Sequence, residues 1–144
     1  MYGDTSVIRG LARGMRERAG DIRAEADELA GRAEAVPWTG LAADAMRRLA
    51  RDHATRLRSS ADAHDTAADA LDRHAREVEY LKDLIAAIEH RAVRLLESAA
   101  SGVAGLLGHV LPDAVEHWAG HFEPPPHGSR AWLDVHLPCG GGSA

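Results

Sequence analysis

Apolar side chains recur along the first third of the chain at Val7, Ile8, Leu11, Met15, Ile22, Ala26, Leu29 and Ala33. Most of the steps are three, four or seven residues, the period of an α-helix with one face turned to a core. Asp4, Thr5 and Ser6 offer side-chain oxygens to cap its start. This spacing predicts a first helix over residues 5–35. Pro37-Trp38-Thr39-Gly40 then ends it: proline lacks a backbone donor and drives Val36 out of helical geometry. Leu41–Ser101 contains neither Gly nor Pro and carries a sustained apolar stripe through Met46, Leu49, Leu57, Leu71, Val78, Ile85, Ile88 and Leu95. A short link between two helices makes them antiparallel neighbours.

The fold class expected is therefore all-α. An antiparallel hairpin, its second helix much the longer, is followed by C-terminal helices that could make a three- to four-helix bundle. A second helix matching the first would end near Leu71. Beyond it the stripe needs cover, either from the chain folding back near residues 59–66 or 72–80 or from a partner. Gly10, Gly14, Gly20 and Gly31 weaken the first helix but admit a close neighbour. Residues 99–111 are small and apolar, and are read as a short packed helix, too short to cross a bilayer. Pro112 suits the first turn of a further helix through about Phe122, which Pro124-Pro125-Pro126 ends. The domain reading is thus a hairpin over 1–98, a small-residue extension over 99–122 and a flexible Pro/Gly-rich tail over 123–144. Within that tail, Ala131–Leu137 reads as one short extended segment.

Composition narrows the function. The net charge of −5, with bases and acids interspersed, argues against nucleic acid as a partner. Aromatic residues make up only 4% of the chain, so an alanine- and leucine-rich core suits close-packed helices. Lys82 is the one lysine, a usage that hints at a GC-rich, actinobacterial genome. The single cysteine, Cys139, forbids an internal disulfide and a Cys-cluster zinc site. The start of the chain lacks the basic and apolar pattern of a cleavable signal peptide, and no apolar run spans a membrane.

Trp38 and Gly40, followed by Leu41-Ala42-Ala43-Asp44-Ala45-Met46, resemble the WXG family, the ESAT-like superfamily of type VII secretion substrates, over residues 5–98. The resemblance implies a helix-turn-helix hairpin that pairs with itself or with a related hairpin. It also implies export, through a membrane ATPase complex and without a cleavable signal, to the cell surface or beyond. The family's substrates often carry Y-x-x-x-D/E after the second helix. Here Tyr80 is followed by Asp83, one residue early, with Leu84 in the expected place. Trp38, Gly40 and Tyr80 are accordingly the candidate interaction and export residues. The alternatives are a cytosolic structural or adaptor bundle, the leading domain or companion of a secreted toxin, and a peripheral membrane protein using residues 99–111.

Catalytic chemistry is not expected, because no nucleophile elbow, phosphate-cradling glycine loop or H-E-x-x-H stands in the chain. No cofactor and no metal are expected as part of the function. Of the nine histidines, His117 and His121 stand four apart, with Asp113 and His109 at the same step before them, so that two imidazoles could face one ion. His53, His64 and His74 recur about three turns apart on the second helix and are candidates for pH-sensitive groups in an interface.

Overall fold

The computed structural model describes residues 4–101 and 113–138. Within them the chain is helical, with α1 at Thr5–Ala35, α2 at Leu41–Ser101, α3 at Asp113–His121 and a 3₁₀ helix at Arg130–Asp134. No strand occurs among the described residues. The Asp4 carboxylate accepts from the Ser6 amide at 2.9 Å and caps α1, satisfying a donor that no helical carbonyl can reach. α2 runs unbroken through Ser59-Ser60, so neither candidate fold-back occurs. The small-residue segment at 102–111 lies outside the described residues, as do His109, Pro112 and Cys139.

Two compact units divide the chain, one ending at Val78 and the other beginning at Glu79. In the first, α1 packs antiparallel against the N-terminal part of α2. Ion pairs fix the register. Arg51 meets Glu34 at 2.7 Å, Arg58 meets Asp27 at 2.6 Å, Arg23 meets Asp62 at 2.6 Å and Arg16 meets Asp69 at 2.8 Å. From pair to pair the partners step seven, four and seven residues, backward along α1 and forward along α2. The same antiparallel register sets Ala33, Ala26, Ala19 and Ala12, each seven residues from the next, roughly level with Ala54, Ala61, Ala68 and Ala75.

Those eight alanines are the buried seam of the hairpin. Leu11, Leu29, Leu49 and Val7, which the apolar period also picks out, are exposed. Alanine is selected because two helices can approach to the short end of their usual 8–10 Å separation only where the facing side chains are small. The seven-residue repeat keeps the seam facing its partner by a left-handed wrap. The four glycines do not serve this approach: a Cβ on Gly14, Gly20 or Gly31 would meet nothing within 4 Å, and one on Gly10 would meet only the tip of Arg13.

In the second unit, Ile85 and Ala92 of α2 pack with Trp132, and Ile88, Trp118, Phe122, Leu133, Val135 and Leu137 surround them. Trp118 stacks on Phe122 at a centroid distance of 4.3 Å. The Trp132 indole N–H donates to the Pro126 carbonyl at 3.0 Å, so the ring is buried without an orphaned donor. The segment after residue 122 is therefore no loose tail as far as residue 138. Its Ala131–Leu137 stretch is also not a plain extended segment, because Ser129 caps a 3₁₀ turn that swings Trp132 inward. Trp132 and its apolar neighbours gain more by burial than a Pro/Gly-rich composition suggests.

Candidate interaction site

The corner between α1 and α2 is built from backbone and one arginine. Val36 leaves the helix with extended angles, and the Trp38 amide donates to the Val36 carbonyl at 2.8 Å, closing a three-residue turn. Gly40 has φ of +101°, a conformation that side chains resist, and its carbonyl accepts the Asp44 amide at 3.0 Å to open α2. The Arg47 guanidinium reaches back from α2 and donates to the carbonyls of Val36 at 2.9 Å and Trp38 at 2.7 Å. Asp44, at 3.5 Å, and Glu34, at 4.0 Å, flank the same arginine and hold it in place. Both carbonyls lie where a chain leaving a helix has no helical donor to offer them.

Trp38 and Gly40 thus come together at one tight bend. Trp38 remains 49% exposed, and Leu41 near it in the chain is 89% exposed. The bend presents apolar side chains to solvent more than it hides them. Tyr80 belongs to the other unit, is 65% exposed, and is not brought to the corner within one unit. Arg47 is the residue that pattern reading missed. Its spacing is that of any surface arginine, and only the fold reveals which carbonyls it reaches.

The two edges of the hairpin differ. One edge carries the ion pairs, in which Arg16 bridges Asp69 and Asp72 and Arg23 bridges Asp62 and Asp65. The hydrogen bond to Asp72, then that to Asp69, raises the Arg16 pKa, while Asp62 and then Asp65 do the same for Arg23. The other edge carries Ile8, Met15, Ile22, Leu29 and Val36 at seven-residue steps, with Leu57, His64 and Leu71 of α2 beside them. All eight are exposed or half-buried. A groove of about 350 Å³ near the corner is lined by Leu29, Ala33, Val36, Met46, Leu49 and Ala50, with Arg32 and His53. A second, of about 410 Å³, is lined by Gly10, Leu11, Gly14 and Met15, with Arg18 and His64. Of the three α2 histidines that recur about three turns apart, His64 is half-buried, and its Nδ1 lies 2.8 Å from the Ser60 carbonyl; His53 and His74 are exposed.

Among the described residues no group of three or more His, Cys, Asp or Glu could hold a metal ion, and no helix is long and apolar enough to cross a membrane. No protein-family model, curated protein or solved structure matches the chain.

Proposed function

We propose that this chain is a helix-association module of the WXG type, exported by a type VII secretion system or partnering a substrate of one, and that it acts by binding without catalysis. The observation that carries this reading is the unequal pair of hairpin edges. One edge is closed by charge, and the other leaves a repeating apolar stripe half open beside an exposed tryptophan. A stripe at seven-residue steps is what a further helix packs against by knobs-into-holes contact. A partner hairpin, from a second copy or a related protein, would bury Ile22, Leu29, Val36 and Leu57. At about 25 cal/mol per Å² this adds the burial that an alanine seam supplies only sparingly. Trp38, at the end of that stripe, has the character of an interface anchor, being large, rigid and half exposed.

Export by the secretion machinery, with the protein cytoplasmic beforehand and surface or extracellular afterwards, rests on the Trp38-Thr39-Gly40 resemblance together with the bend on which it falls. Trp38→Ala expressed in a host carrying the secretion system tests it. Loss of the protein from the culture filtrate, with normal cellular level and unchanged helical circular dichroism, supports the reading. Absence of the unaltered protein from the filtrate removes export and leaves a cytosolic bundle.

A further inference from the structure

We propose that His117 and His121 form an open two-histidine site for a borderline first-row divalent ion, Cu²⁺ most tightly and Ni²⁺ or Zn²⁺ after it. Four residues apart on α3, their side chains rise from the same helical face. Their ring centroids are 4.6 Å apart with planes inclined at 41°, so the rings are neighbours but not flat upon each other. Two nitrogens each about 2.1 Å from one ion at a tetrahedral angle stand roughly 3.4 Å apart, a separation that rings so placed can reach. His121 Nδ1 lies 2.9 Å from the His117 carbonyl. A carbonyl only accepts, so Nδ1 carries the proton and the Nε2 lone pair is left for a ligand bond. Fixing the tautomer of a ligating histidine through its other nitrogen is the usual supporting contact of such sites. Both residues are exposed, and no ion pair to either occurs among the described residues, so an ion has an open path. Imidazole suits copper, nickel and zinc and is indifferent to magnesium and calcium. Two protein ligands leave the remaining positions to water or to a donor from a bound partner.

Titration of the metal-free full-length protein with CuCl₂ at neutral pH tests the site. Tryptophan fluorescence reports it, because Trp118 adjoins His117 in the chain. One saturable binding event is expected. Its affinity falls about tenfold or more in His117→Gln and in His121→Gln and is unchanged in His127→Gln. Zn²⁺ should displace Cu²⁺ only in excess, and Mg²⁺ not at all. Circular dichroism of the two glutamine variants verifies that α3 persists. Binding that survives both replacements, or that His127→Gln weakens equally, overturns the proposal.

Discussion

At the residue scale the corner depends on Arg47 and Gly40. A guanidinium donating to two carbonyls makes charge-assisted bonds, and the Arg47 side chain that makes them is only 16% exposed. Arg47→Ala should destabilise the hairpin by about 1–2 kcal/mol, read as a lower urea midpoint at unchanged slope. Arg47→Lys should rescue little, because an ammonium lacks the planar fork. The neighbouring, exposed Arg48→Ala should stay within about 0.5 kcal/mol of the parent. Gly40→Ala meets no steric neighbour, so its cost of roughly 1–2 kcal/mol comes from φ alone. The bend itself was legible in the sequence, since Pro37 and Gly40 announce it by their backbone limits. The arginine that ties it was not, because hydrogen-bond reach across a turn leaves no periodic trace.

At the scale of elements, the bounds of α1 and the start of α2 follow from the apolar period and its interruption. Which stripe forms the seam does not. Steps of three and four residues admit two adjacent stripes, one through Ala12, Ala19, Ala26 and Ala33 and one through Met15, Ile22, Leu29 and Val36. Hydrophobicity favours the second as the buried one. The close approach of α1 and α2 chose the first, and the larger side chains were left at the edge. Ala19→Leu should therefore cost about 1–3 kcal/mol by overpacking a seam with no space, whereas Ala24→Leu on the exposed face should be nearly neutral. Chemical denaturation of the two variants in parallel checks the contrast. The continuity of α2 was likewise undecidable from pattern, because an uninterrupted stripe fits either a long helix or one folded back on itself.

The clamped edge belongs to the same scale. Its ion pairs are exposed or half-buried, and such pairs contribute little singly and weaken in salt. Their sign pattern matters more: α1 offers bases at Arg16 and Arg23 and acids at Asp27 and Glu34, and α2 answers each in reverse order. Raised arginine pKa values favour the charged form, so this contribution is complete below the ordinary arginine range and is lost only as pH climbs through the raised folded values. Alkali within the working range leaves the arginines untouched, and salt is the effective lever. Replacing Arg16 and Arg23 together by Gln should lower the unfolding midpoint in dilute buffer, and the difference should shrink in about 0.5 M NaCl, beyond the reach of surface pairs.

At the scale of the molecule, the two units differ in what holds them together, so their stabilities should separate. The hairpin rests on alanine packing and a hydrogen-bonded corner. The C-terminal unit rests on an aromatic cluster around Trp132, which is 2% exposed and one of only three tryptophans. That segment was hard to foresee, because Pro, Gly and His dominate its composition, and a lone Trp gives no period from which to infer a core. Trp132→Ala removes a buried ring and orphans the Pro126 carbonyl, a loss of about 3–5 kcal/mol falling on contacts with Ile85 and Ala92. The loss should be local. Amide exchange over residues 115–138 should lose protection in this variant, while amides of α1 keep the rates of the parent, because no residue of α1 belongs to the Trp132 core. Equal loss of protection in α1 would mean that the chain unfolds as one cooperative body and that the division at Val78 has no energetic counterpart.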